Sequence, residues 1–426
     1  MTSAASALWP APQADQPIRA TVNLPGSKSA TNRALILASA AEPGQKSLLR
    51  APLRARDTEL MASALRALGV TVADQGQDWL VTPGDMPSSA HIDCGLAGTV
   101  MRFVPPLAAL ASGDITFDGD PHARLRPMKT LLEGLRHLGA NVSGDALPFV
   151  IHGTGAVRGG EIHLDASGSS QFVSALLLLG ARFEDGVIVR HLGGPLPSAP
   201  HIEMTMEMLR QVGVDVTQPR RRSWQVAPGA IAPHDWNIEP DLSNAAPFLC
   251  AALVTGGQVH IPDWPHETTQ AGDALRHLLP QLGATVSWNP SGLTVHGGKT
   301  IAGIDVDLHD VGELTPVLAA LCALADHPSR LRGIGHLRNH ETDRLAALAT
   351  ELNKLGAQVT EGADELAITP KPLRGGVFGT YDDHRMGQAG ALLGLAVPGV
   401  EVENIATTGK TMTNFVELWT SMLESQ

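Results

Sequence analysis

Cysteine, aromatic side chains and surplus positive charge are all scarce in this chain. Its 426 residues include three cysteines, Cys94, Cys250 and Cys322, in no paired spacing. That excludes a disulfide framework and a zinc knuckle and suits a reducing compartment. Each cysteine sits among small or apolar neighbours and reads as a core thiol. Aromatic residues make up 4% of the chain and Tyr381 is its one tyrosine, so the core must be built from Ala, Leu and Val. Stacking platforms for nucleic-acid bases are not expected from such a composition. The formal net charge of −12 argues against nucleic acid or an anionic membrane as partner. No run approaches the roughly 20 apolar residues that a membrane span needs. The N-terminal segment has neither a basic leader nor a long apolar stretch, so no secretory signal and a cytoplasmic location are expected.

What the chain does have is the octapeptide Gly26-Ser-Lys-Ser-Ala-Thr-Asn-Arg33, between a short extended run (Ala20 to Pro25) and an apolar helical run (Ala34 to Ala41). Two cations, two hydroxyls and several free backbone N–H groups thus fall at a strand-to-helix turn. A helix N-terminus attracts anions through its dipole and its unpaired N–H groups. A small molecule bearing phosphate or carboxylate is the natural ligand. A nucleotide P-loop is excluded, because Ser27 precedes Lys28 and no glycine stands five residues before Gly26. The competing reading is a Ser-capped helix with two solvated cations.

A chain of this length exceeds one ordinary core, and two domains are expected. One pattern returns along it. A polar or Gly/Ser-rich turn opens an apolar helix at Gly26, Gly95, Gly168, Asp241, Asp310 and Asp382, at intervals of 69, 73, 73, 69 and 72 residues. Interleaved with it are amphipathic helices that end in Leu-Gly and run into a strand, as in Leu65-Arg-Ala-Leu-Gly-Val-Thr-Val72 and Leu135-Arg-His-Leu-Gly-Ala-Asn-Val142. Similar segments end at Val286 and Val359, with a looser copy ending at Val216. The glycine is a left-handed helix stop, and the β-branched residues after it start a strand. Each unit therefore reads as strand–helix–strand–helix–strand–strand. A unit this small cannot bury both helices alone, so units should share a core. The expected fold class is α/β (α+β): two globular domains, each of three βαβαββ units around buried helices.

The polar chemistry lies at the helix starts: Lys28, Ser29 and Arg33; Gly98, Thr99 and Arg102; Ser169, Ser170 and Gln171; Glu313; and Asp382-Asp-His-Arg385. Loops add Arg124, Arg126, Glu341-Thr-Asp-Arg344 and Lys410. If the helix N-termini share a cleft, Lys28, Arg126, Arg344, Arg385 and Lys410 surround a dianionic or trianionic ligand. Gathering so many cations without one costs desolvation and repulsion, which two open domains closing on the ligand would relieve.

Taken together, Leu24-Pro-Gly-Ser-Lys-Ser-Ala-Thr-Asn-Arg33, Ala97-Gly-Thr99 with Met101-Arg102, Arg126-Pro127, Ser169-Ser-Gln171, Glu341-Thr-Asp-Arg344, Asp383-His-Arg-Met386 and Lys410-Thr411 resemble the enolpyruvylshikimate-phosphate synthase family, in its order and over nearly the whole chain. The resemblance implies an inside-out α/β barrel in each domain, one domain over residues 24–240 and the other over 1–23 with 241–426. It implies transfer of an enolpyruvyl group from phosphoenolpyruvate to the 5-hydroxyl of shikimate 3-phosphate by addition–elimination through a tetrahedral ketal, with loss of phosphate. No metal or organic cofactor is implied, no nucleic-acid or membrane partner, and a monomer is expected.

By the same resemblance Lys28, Ser29, Arg33, Ser169, Ser170, Gln171, Ser198, Glu313 and His340 bind shikimate 3-phosphate. Lys28, Gly98, Arg126, Gln171, Arg344, Arg385 and Lys410 bind phosphoenolpyruvate, where the planar fork of arginine suits carboxylate and phosphate oxygens. Glu313 accepts the hydroxyl proton, and Glu341 with Lys28 handles the proton at the methylene carbon. The chain departs from the common pattern at Leu96 (usually Asn), Phe103 (usually Pro), Glu313 (usually Asp), His340 (often Lys) and Pro200-His201, where a Tyr is frequent. Gly98 leaves room for the inhibitor glyphosate, so sensitivity is expected.

His336, His340 and Glu341 imitate a metal pair but lack a third convergent ligand. Asp382 and Asp383 suit helix capping better than a metal. The UDP-N-acetylglucosamine enolpyruvyl transferase of cell-wall synthesis usually carries a reactive cysteine in the segment matching Asp118 to Pro127, which has none here. An RNA-terminal phosphate cyclase would want a basic face. A non-catalytic anion-binding scaffold would bind the ligands without releasing phosphate.

Overall fold

The structure, a computed structural model, describes residues 7–424. The chain divides into two compact units. One is Gly26–Glu239; the other is formed by the chain on either side of it, up to Pro25 and from Pro240 onward.

In the first unit six helices, α1 (Lys28–Ser39), α2 (Arg56–Ala67), α3 (Gly98–Ala108), α4 (Lys129–His137), α5 (Gln171–Gly180) and α6 (Pro200–Gln211), alternate with three four-stranded sheets. The middle copy shows the construction. Ser89–Asp93 pairs in parallel with Ser112–Asp118 across α3, and the hairpin Asn141–Ser143/Phe149–Thr154 then adds antiparallel to it. All of α3 is buried, as is α5 beyond Gln171. A helix apolar on every side belongs in a core. By contrast α4 buries only Leu131, Leu132, Gly134 and Leu135, one face of an amphipathic helix. The glycines of the repeated Leu-Gly step have the expected positive φ, +87° at Gly69 and +99° at Gly139.

The second unit repeats the plan with α7 (Ala246–Thr255), α8 (Leu275–Gln281), α9 (Thr315–Ala323), α10 (Arg344–Lys354), α11 (His384–Gly394) and α12 (Phe415–Glu424). Helices α9 and α11 are buried along their length, as is α7 as far as Leu253. Each unit has its own hydrophobic cluster.

Two details differ from the sequence reading, at the first helix and in the sixth copy. The first helix begins at Lys28, not at Ala34, so the octapeptide forms its opening turns. The strand ahead of that helix belongs to the second unit. Arg19–Thr21 pairs in parallel with Gln258–Pro262 in the second unit, while Trp236–Asn237 pairs with Ser47–Arg50 and completes the first. The sixth copy has no closing hairpin; Leu8–Pro10 lies antiparallel to Val400–Glu403, giving a three-stranded sheet.

Candidate active site

The first unit brings its predicted residues to the N-termini of α1, α3 and α5. Ser27 caps α1, its hydroxyl accepting from the Ala30 N–H at 3.3 Å. Lys28 follows, its Nζ 3.3 Å from Asp57 Oδ2; the lysine side chain is 21% exposed and the aspartate 2%. Ser29 beside it is half-buried. Arg33, one turn further on, is turned inward. Its Nε donates to Thr205 Oγ1 at 2.8 Å, Nη1 to the Ser29 carbonyl at 3.0 Å, and Nη2 to the His201 carbonyl at 2.9 Å and to Ser174 Oγ at 3.4 Å. All four partners are neutral. Burial alone pushes this guanidinium down to about 9. It is a buried cation with no carboxylate among its described partners, and it also lies over the Phe103 ring.

At α3, Asn32 Nδ2 donates to Thr99 Oγ1 at 2.7 Å and so ties α1 to α3. Arg126 lies against Gly98 and donates from Nη1 to the Leu96 carbonyl at 2.9 Å. Leu96 thus holds Arg126 through its backbone and buries its side chain in the core, which is why an apolar residue serves there. A Cβ at Gly98 would stand 2.9 Å from Arg126 Nη2 and 3.1 Å from Nη1, so the close approach requires glycine. Arg126 Nε is buried without a hydrogen-bond partner among the described residues, as is Asp57 Oδ1. At α5, Ser169 Oγ accepts from the Gln171 N–H at 3.2 Å, and Gln171 Oε1 accepts from Arg102 Nη1 at 2.8 Å. Ser170 is buried. Ser198 holds a left-handed backbone, φ +55°, just ahead of α6.

In the second unit the hub is Asp383, the fully buried N-cap of α11. It accepts from Arg344 Nε at 2.7 Å and Nη2 at 3.1 Å, and from the Arg385 backbone N–H at 2.9 Å. The fork-to-carboxylate pairing fixes the plane of Arg344. Arg344 Nη2 also donates to Glu341 Oε2 at 3.2 Å, and Lys410 Nζ donates to Glu341 Oε1 at 2.6 Å. The Glu341–Arg344 pair is 8% and 3% exposed, so it is no solvated helix bridge. Burial would lower the Arg344 guanidinium, but Asp383, Glu341 and Glu313 together raise it above its ordinary value. Arg385 donates from Nη1 to the Ser243 carbonyl at 2.8 Å, Gln388 Oε1 at 3.1 Å and Asn244 Oδ1 at 3.2 Å. Its value falls, chiefly through burial. Glu313 Oε1 accepts from Ser243 Oγ at 3.3 Å.

His340 lies beside this cluster, its Nδ1 3.3 Å from Arg344 Nη1. It also packs edge-on against His336, which packs edge-on against His309, with centroids 5.8 and 5.6 Å apart. Burial, then the neighbouring His309, pushes His336 down to about 4. Among the described residues no group of three or more His, Cys, Asp or Glu could hold a metal. Burial raises the three thiols, Cys322 to about 11, which makes them poor nucleophiles.

Residues that the sequence reading missed are all carboxylates or neutral groups acting through a named cation. Asp57 supports Lys28, Thr205 and Ser174 support Arg33, and Asn244 and Gln388 support Arg385. Asp383, in contrast, is legible in the sequence as a helix cap.

The family model for EPSP synthase (3-phosphoshikimate 1-carboxyvinyltransferase) matches residues 12–419. The chain is 55% identical over 435 residues to a 3-phosphoshikimate 1-carboxyvinyltransferase from Kocuria rhizophila, covering 98% of this chain and 97% of the relative. Among solved structures it shares its fold with EPSP synthase from Acinetobacter baumannii, with a TM-score of 0.79, 23% identity and 97% of each chain covered. The enolpyruvyl transferase NikO from Streptomyces tendae is also similar, with a TM-score of 0.76, 18% identity and 96% of each chain covered. No helix among the described residues is long and apolar enough to cross a membrane. From residue 12 to residue 419, this chain belongs to the EPSP synthase family.

Proposed function

We infer that this protein transfers the enolpyruvyl group of phosphoenolpyruvate to the 5-hydroxyl of shikimate 3-phosphate and releases phosphate, supplying aromatic amino acid biosynthesis. Family membership and a relative of that activity at 55% identity support the chemistry. The observation that carries it within the molecule is Arg126, a buried guanidinium held against Gly98 by the Leu96 carbonyl, with its Nε unpartnered among the described residues. Burying such a charge is costly unless an anion completes it. Phosphoenolpyruvate supplies one.

In this reading the named side chains divide between the two substrates. Lys28, Ser29, Arg33, Ser169, Ser170, Gln171 and Ser198 hold the phosphoshikimate, with Glu313 and His340. Gly98, Arg126, Arg344, Arg385 and Lys410 hold phosphoenolpyruvate, with Lys28 and Gln171. The addition step protonates the methylene carbon while the 5-hydroxyl attacks its neighbour. Glu313 takes the hydroxyl proton. Glu341, within 2.6 Å of the Lys410 ammonium, and Lys28 carry the proton at the methylene carbon. The guanidinium and ammonium groups, already oriented by Asp383, Glu341 and Asp57, stabilise the ketal's carboxylate and phosphate and the leaving phosphate without reorganising. The reaction uses no metal or organic cofactor, and the enzyme works as a cytoplasmic monomer.

The experiment is phosphate release from phosphoenolpyruvate with and without shikimate 3-phosphate. Release that depends on shikimate 3-phosphate is expected. Release that needs a nucleotide sugar instead, or binding of both ligands with no release, would overturn the reading.

A further inference from the structure

Two left-handed residues in succession, neither of them glycine, precede α11: Tyr381 with φ +54° and Asp382 with φ +56°. Such a pair persists only where the surroundings over-determine it, and such strain collects where a fold must aim a group. The next residue is Asp383, which grips Arg344 and caps the turn carrying Arg385.

From the α10 side the strained turn is held by one carboxylate. Glu351, on α10 two turns beyond Arg344, is 4% exposed. Its Oε1 accepts from the Tyr381 hydroxyl at 2.9 Å, and its Oε2 accepts from the Gly379 N–H at 2.8 Å and from Lys354 Nζ at 2.7 Å. A Cβ at Gly379 would stand 3.2 Å from Glu351 Oε1, so the backbone is drawn tightly onto the carboxylate. The tyrosine residue is 44% exposed, yet its hydroxyl is committed inward. A second tie fixes the neighbouring residue: Asn404, itself left-handed at φ +48°, donates from Nδ2 to Asp382 Oδ1 at 2.8 Å.

We propose that Glu351 and Tyr381 are positioning residues for the phosphoenolpyruvate arginines, a latch that fixes the turn before α11 so that Asp383 meets Arg344 in one geometry. Helix α10 is thereby clamped at two points, Arg344 to Asp383 and Glu351 to the segment Gly379–Tyr381. A single contact lets one element pivot about the other; two contacts a helical turn or more apart remove the pivot. The latch touches no substrate, and the inference rests on the functional reading above.

The latch has its own reporter, because Tyr381 is the only tyrosine in the chain. Burial, and then the hydrogen bond to the Glu351 carboxylate, push its phenol up to about 12. Tyrosinate absorbance in Glu351→Gln should therefore appear at lower pH than in the wild type, whatever the enzyme's substrates. Steady-state phosphate release is then measured for the wild type, Tyr381→Phe, Glu351→Gln and the double variant. KM for phosphoenolpyruvate should rise about tenfold in each single variant, the scale of one charge-assisted hydrogen bond. KM for shikimate 3-phosphate and the thermal midpoint should move much less. The double variant should be no worse than Glu351→Gln, since both changes open one latch.

Unchanged phosphoenolpyruvate KM in Glu351→Gln, with its tyrosine titrating early, would show a broken latch without consequence and would overturn the proposal. So would equal losses for both substrates, or additive losses in the double variant. A wild type that releases no phosphate would instead remove the functional reading, and phosphoenolpyruvate binding by calorimetry would then decide whether the latch orients the arginines. If Tyr381→Phe does not fold, Glu351→Gln with its lone tyrosine carries the comparison.

Discussion

Asp383→Asn is the substitution that tests the site most directly. The carboxylate is fully buried and receives three hydrogen bonds, two from Arg344 and one from the Arg385 backbone. Asparagine keeps one carbonyl oxygen, enough to cap α11, but replaces an acceptor by a donor and removes the charge. The Arg344 guanidinium then depends on Glu341 at 3.2 Å, a carboxylate shared with Lys410. Breaking a buried pair costs roughly 3–5 kcal/mol when one partner is left alone. With one acceptor and Glu341 retained, a loss of about 2–3 kcal/mol in unfolding free energy is expected. Arg344 would also lose its fixed plane, so KM for phosphoenolpyruvate should rise on the order of 10- to 100-fold. Urea unfolding and phosphate release at varied phosphoenolpyruvate measure the two effects separately. A variant that unfolds at the wild-type midpoint and keeps its phosphoenolpyruvate KM within about twofold would refute the argument from the buried pair.

Three further outcomes are expected. Glu313→Gln should keep both substrates bound by calorimetry while turnover falls by about 10²- to 10⁴-fold, the usual worth of a general base; wild-type turnover rules out that role. Gly98→Ala places a methyl 2.9 Å from Arg126 Nη2 and must displace the guanidinium, so KM for phosphoenolpyruvate should rise about tenfold, and glyphosate, expected to compete with phosphoenolpyruvate in the wild type, should inhibit the variant less. His336, whose folded value is lowered to about 4 from 6.5, contributes stability that is complete above pH 6.5 and is lost as pH falls towards 4; the loss reaches about 3 kcal/mol, and a His336→Phe variant should show a stability profile flatter by one proton over that window.

Much of this molecule could be read from its residues, for identifiable reasons. The Leu-Gly helix stops and the all-apolar helices are local signals, and the fold repeats them often enough to reveal its period. The cations stood out because they are exceptions on an acidic chain. Pairing between distant strands leaves no such trace. Arg19–Thr21 pairs more than 200 residues away in sequence, and it is the resemblance, not any residue beside it, that assigns this segment to the second domain. Arg33 reads as a ligand-facing cation, and in the fold Thr205, Ser174 and the His201 carbonyl already occupy its fork. Neutral partners carry no charge pattern to search for. Glu351 and Tyr381 were silent for the same reason, being an ordinary helical glutamate and a lone aromatic until the turn between them is seen.

The strand exchange at the start of the chain has a consequence in time. Gly26–Glu239 contains every strand of its own sheets, so it can finish folding while synthesis continues. The segments Arg19–Thr21 and Leu8–Pro10 precede it in the chain but wait for partners made after it, Gln258–Pro262 and Val400–Glu403. At about 5–20 residues per second, the earliest strand waits roughly 20 to 80 s for its partner. Any message or nascent chain cut short before Val400 leaves that strand with unsatisfied backbone hydrogen bonds, and makes it a target for aggregation or clearance while the inserted half is already complete.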